Sequence, residues 1–115
     1  MSAITTHVLD TARGRPAAGV AVVLEHRDAG RQEWKLIGRG ETDADGRLGS
    51  LLSDQTPLEP GQYRLVFDTR KYFDAQSVRT FYPSVVIVFE TVAGEMHYHV
   101  PLLLGPFGYT TYRGS

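Results

Sequence analysis

Hydrophobic and polar positions alternate at the two-residue period of β-strands along most of the chain. Residues 4–9 form an apolar, β-branched run that contains His7, and a turn region follows over residues 10–16. The stretch GVAVVLEH over residues 19–26 reads as a second strand, ended by Asp28-Ala29-Gly30, and residues 34–41 read as a third. The Asp43-Ala44-Asp45-Gly46 cluster is turn chemistry, because Asp and Gly tolerate positive φ. A short edge strand is expected over residues 48–52, and Pro57-Leu58-Glu59-Pro60-Gly61 breaks the chain before a strand over residues 62–68. That strand places Tyr63, Leu65 and Phe67 on one face. Residues 69–77 lose the alternation, and Tyr72, Phe73 and Ala75 suit one or two helical turns. Residues 85–91 are almost continuously apolar, the pattern of a strand buried on both faces. Ala93-Gly94 predicts a hairpin, residues 95–104 the next strand, and residues 107–113 the last.

Eight strands and one short helix predict an all-β, Greek-key-like sandwich, with all 115 residues in a single domain. Composition narrows the function more than the fold. Twelve basic and thirteen acidic residues give a net charge of −1 with no Lys/Arg run, which argues against nucleic acid as a partner. The longest apolar run, Val85 to Phe89, is five residues, far below the ~20 that cross a bilayer, so no membrane partner is expected. MSAITTHVLD lacks the basic start and apolar stretch of a secretory signal, and the expected location is cytoplasmic. Cysteine is absent, which removes disulfides, thiol nucleophiles and Cys-based zinc sites. Gly-rich phosphate loops and a nucleophile-elbow serine are missing as well.

The candidate chemistry concentrates on one strand. In residues 96–104, Met96, Tyr98, Val100, Leu102 and Leu104 share a good core face. The other face carries His97, His99, Pro101 and Leu103, an odd mixture for a solvated surface, and therefore asks for a partner. His97-x-His99 admits three readings: polar residues on an exposed strand, ligand or catalytic contacts, or two metal ligands awaiting a third. His7 reads from its strand alone as a hydrogen-bonded structural residue, His26 as solvent-facing beside a turn, and Arg47 as a rim residue after Asp45-Gly46.

Three segments together are distinctive: His7-Val8-Leu9-Asp10 with Gly14-Arg15-Pro16-Ala17, the strand His97-Tyr98-His99-Val100-Pro101-Leu102-Leu103-Leu104, and the tetrapeptide Tyr112-Arg113-Gly114-Ser115. They resemble the transthyretin-related 5-hydroxyisourate hydrolases over essentially the whole chain, and the tetrapeptide is that family's signature. The resemblance implies a prealbumin-like (transthyretin-like) Greek-key sandwich of seven to eight strands, assembled as a homotetramer with sites at the subunit interface. The activity it implies is opening of the six-membered ring of 5-hydroxyisourate, the unstable product of urate oxidation. By motif, its catalytic and substrate-binding set falls on His7, Arg47, His99 and Tyr112, with His97, Arg113 and Ser115 as secondary candidates. Many relatives carry Ser where this chain has Gly105 and Thr110, neither of which belongs to that set. No metal or cofactor is expected, because a histidine base and an arginine suffice for such a hydrolysis. The rival is a non-catalytic small-ligand carrier of the transthyretin fold, and transthyretin itself lacks these histidines and the tetrapeptide.

Overall fold

The computed structural model describes residues 3–28, 30–53 and 55–115, so Met1, Ser2, Ala29 of the 28–30 turn and Asp54 lie outside it. In chain order the elements are β1 (Ile4–Asp10), β2 (Arg15–Pro16), β3 (Ala21–Arg27), β4 (Lys35–Glu41), β5 (Arg47–Leu48), β6 (Gly61–Phe67), α1 (Thr69–Asp74), β7 (Val85–Thr91), β8 (Tyr98–Leu104) and β9 (Tyr109–Thr111). One sheet has the order β2-β1-β8-β9, with β5 also on β1; the other runs β4-β3-β6-β7. All pairings are antiparallel except β1 with β8.

The core holds Ile4, Val8, Leu24, Leu65, Phe67 and Leu102 from the two sheets and Phe73 from α1, all essentially withdrawn from water. Each such side chain contributes about 1.5–3 kcal/mol relative to an exposed one. Buried hydroxyls have partners: Tyr72 Oη donates to Asp10 Oδ2 at 2.7 Å, and Tyr63 Oη donates to the Glu59 carbonyl at 2.7 Å. Burial, the larger effect at each, pushes both phenols up from their ordinary pKa. Helix α1 starts where Asp68 Oδ1 accepts from the Lys71 amide at 3.1 Å, an N-cap that satisfies one orphan donor.

The eight expected strands and the helix are present, and the two-residue β2 is an addition. Four details differ. The edge strand expected over residues 48–52 shortens to Arg47–Leu48, and Leu51 and Leu52 are buried as irregular backbone instead. Their segment runs against β4: a Cβ on Gly38 would lie 1.8 Å from the Leu51 carbonyl oxygen. Strand β8 starts only at Tyr98, which leaves Met96 79% exposed rather than in the core. Strand β7 is buried on one face only, with Val86 and Val88 about half exposed, because no described residue packs over its outer face. His26 is not solvent-facing. The inward alternation Val22, Leu24, His26 carries its ring over that of Tyr63, with centroids 4.4 Å apart.

Candidate active site

The site forms on the outer face of β1, β5 and β8, and its first part is the Asp43–Arg47 turn. Asp43 Oδ1 accepts from the amides of Asp45 (2.8 Å) and Arg47 (3.0 Å). Those amides, that of Arg47 foremost, hold the carboxyl below its ordinary pKa. Gly46 takes φ +77°, and its carbonyl accepts from Val8 N at 2.8 Å, so the turn docks onto β1. A Cβ at Gly46 would lie 2.4 Å from the Val8 carbonyl oxygen, so both the conformation and the space require glycine. This docking sets Arg47 opposite His7 in antiparallel register. His7 Nε2 donates to the Asp45 carbonyl at 2.9 Å; a carbonyl only accepts, so that nitrogen carries the proton.

His99 is placed by the parallel register of β1 and β8, which sets Thr5 beside it. Thr5 Oγ1 lies 2.7 Å from His99 Nδ1 and occupies that nitrogen, leaving Nε2 for chemistry. From the other side, Gly114 N donates to the His99 carbonyl at 2.8 Å, and the two residues form a β-bridge. A Cβ at Gly114 would lie 2.6 Å from His99 Cδ2, so the tetrapeptide can lie flat on the imidazole only with glycine there. Partial burial foremost, then the nearby His7, His97 and Arg47, lowers the His99 pKa from its ordinary 6.5. The ring is therefore neutral at neutral pH, with a lone pair available.

A cavity of about 290 Å³ opens on this face, lined by Thr5, Thr6, Arg47, Leu48, Gly49, His97, His99 and Ser115. His97 precedes β8 and is exposed at the cavity's edge. Four predicted residues (Arg47, His97, His99 and Ser115) thus meet around one space, with His7 beside Arg47. Tyr112 and Arg113 do not join them. They line a separate cavity of about 230 Å³ with Ile87, Phe89, Tyr98 and Val100. The Arg113 guanidinium sits 4.8 Å above the Tyr98 ring and pairs with Glu95, which fastens the tetrapeptide at its middle. Sequence reasoning missed Thr5, Asp43 and Gly114 as positioning residues. The available signals were Thr5 two residues before His7 on one strand face, and the Asp that opens the Asp43–Gly46 turn.

A cation, a neutral imidazole and a second histidine around a small cavity can hold a flat, carbonyl-rich compound and activate water against it. Residues 4–114 match the HIUase/Transthyretin family, and the chain belongs to that family. It is 45% identical over 114 residues to 5-hydroxyisourate hydrolase from Mus musculus, covering 99% of this chain and 96% of the relative. The solved 5-hydroxyisourate hydrolase of Klebsiella pneumoniae superposes with a TM-score of 0.83 at 35% identity, covering both chains completely. Transthyretin from Sparus aurata superposes with a TM-score of 0.88 at 34% identity, over 99% of this chain and 97% of that one.

Proposed function

We propose that the protein hydrolyses 5-hydroxyisourate to 2-oxo-4-hydroxy-4-carboxy-5-ureidoimidazoline, a step of urate degradation. The observation that carries this reading is the meeting of Arg47, His97 and a neutral His99, pinned at Nδ1, around one cavity on the β1–β8 face, with His7 beside Arg47. The fold alone does not choose between enzyme and carrier, since a transthyretin superposes at least as well as a hydrolase.

In this reading His99 Nε2 takes a proton from water as the oxygen attacks a ring carbonyl carbon. Arg47 holds the developing oxyanion with its fixed fork of donors. The ring C–N bond then breaks, the departing nitrogen takes the proton back from His99, and the new carboxylic acid releases its remaining proton to solvent to leave a carboxylate. His7, whose Nε2 is engaged by the Asp45 carbonyl, orients the substrate from the rim. Positioned acid–base catalysis of this kind contributes typically 10²–10⁴-fold.

The same proposal includes a homotetramer that closes the site. Edge strand β7 exposes Val86 and Val88, and the β9 edge exposes Phe107, Tyr109 and Tyr112. Apolar side chains on unpaired strand edges fit contact with further copies of the chain. Tyr112, 56% exposed beside that edge, enters a substrate site only across such an interface. The test is direct: generate 5-hydroxyisourate with urate oxidase and follow its ultraviolet decay with and without the protein. Acceleration over the spontaneous decay is expected. Binding of the compound without turnover would favour the carrier instead.

A further inference from the structure

We propose that His26, Asp28 and Glu59 form a binding site for a divalent transition-metal ion, best matched by zinc, on the sheet that does not carry the active site. His26 ends the inward-facing row of β3, stacked on Tyr63. Its side chain is only 11% exposed, and Nε2 is buried with no hydrogen-bond partner. A buried polar atom left without a partner costs about 1–3 kcal/mol, so native structures hold few of them.

This nitrogen faces two carboxylates. Asp28 Oδ1 lies 3.6 Å from it, beyond hydrogen-bond length, and the ligand atoms of His26, Asp28 and Glu59 all lie within 4.8 Å of one another. Among the described residues this is the one group of three His, Asp or Glu side chains close enough to share an ion, and it contains neither His97 nor His99. Tetrahedral zinc binds nitrogen and oxygen at about 2.0–2.2 Å, which separates its ligand atoms by roughly 3.3–3.6 Å. The His26–Asp28 separation already suits two ligands of one ion. Glu59 is exposed and closes the remaining distance by side-chain rotation.

The surroundings preorganise the group. Tyr63, whose ring carries His26, accepts from the Glu59 amide at 3.1 Å and donates to the Glu59 carbonyl at 2.7 Å, which fixes the backbone of the third ligand. Gly61, at φ +141°, leaves the approach to the imidazole open, since a Cβ there would lie 2.9 Å from Nε2. The nearby cation Arg31 approaches Asp28 through the other carboxylate oxygen, at 4.0 Å, so Oδ1 still faces the histidine. One imidazole and two carboxylates suit zinc or cobalt and leave one position for water. The ion would tie the end of β3, the β3–β4 connection and the segment before β6 to each other, and it would stabilise the folded chain by mass action.

The test uses full-length protein stripped of metal by a chelator and titrated with zinc chloride. Calorimetry reads affinity and stoichiometry, and a thermal melt reads the zinc-dependent rise in Tm. We expect Glu59→Gln and His26→Gln each to weaken one zinc site at least tenfold and to abolish the rise in Tm. Glu59→Gln alters an exposed side chain and keeps the comparison available if His26→Gln does not fold. Zinc affinity and a Tm rise unchanged in Glu59→Gln would assign the ion to other histidines and overturn the proposal. A wild-type protein that zinc does not stabilise would overturn it equally.

Discussion

His99 on β8 and His26 on β3 are both partly withdrawn from water, and they differ in what the neighbouring strand offers. The parallel register of β1 and β8 gives His99 the hydroxyl of Thr5, so one ring nitrogen is satisfied and the other is free to act. The antiparallel register of β3 and β6 gives His26 the ring of Tyr63, so its face is packed while Nε2 has no partner. A histidine's chemistry follows from its cross-strand neighbour more than from its depth. The sharpest way to break this contrast is to remove each ring in turn. His99→Asn should lower kcat on 5-hydroxyisourate by about 10²–10⁴, whereas His26→Gln should leave kcat within about twofold. Equal losses in steady-state kinetics would mean that the two sites are not separate.

The support beneath His99 gives the next largest effect. Gly114→Ala would drive a methyl group to 2.6 Å from His99 Cδ2, against a ring held on its other side by Thr5. Displacing a reacting group by about 1 Å costs on the order of 10²-fold. We expect a kcat loss of that order with a circular dichroism spectrum like that of the wild type. A fully active variant would show that the tetrapeptide does not bear on His99.

These two regions were unequally legible in the sequence. Strand alternation alone placed Tyr98, Val100, Leu102 and Leu104 inward and His99 outward, because the two-residue period is local. The same rule, applied to Val22 and Leu24, puts His26 inward, but the adjacent Asp28 turn suggested an exposed end. Only the fold shows that Tyr63 extends the core to cover it. Met96 failed for a related reason, since alternation cannot say where a strand begins, and the segment after Gly94 joins the sheet only at Tyr98. The pairing of Thr5 with His99 spans 94 residues of sequence, and no local pattern reports such a distance. Tyr112 was tied to the histidines by motif, yet within one chain it lines the cavity beside Ile87 and Tyr98.

The His26 side of the contrast can be sharpened through stability. In metal-free protein, His26→Leu removes an unpartnered buried nitrogen and keeps an apolar group on Tyr63. A gain of about 1 kcal/mol is expected, read as a rise in Tm of roughly 4 °C. Added zinc should then stabilise the wild type and not the variant. A metal-free variant less stable than the wild type would mean that the imidazole is already well satisfied without an ion.

The smallest effect belongs to Thr5. Thr5→Val keeps the shape and removes the hydroxyl, so His99 loses the bond that orients it and no charge changes. One neutral hydrogen bond contributes about 1 kcal/mol, so kcat should fall about fivefold with KM unchanged, and Thr5→Ser should restore it. The pH profile distinguishes positioning from simple structural damage. In the proposed mechanism the neutral ring is the base, and its pKa lies below 6.5 because burial, His7, His97 and Arg47 all disfavour the added proton. Activity should therefore rise with pH through a midpoint below 6.5 and level off above it. In Thr5→Val an acid limb should remain under a lower plateau, since the burial and the nearby charged groups are unchanged. If the variant lost activity through a raised KM at every pH, Thr5 would be shaping the substrate pocket, and the orientation of His99 would have to come from Gly114 and the β8 backbone alone.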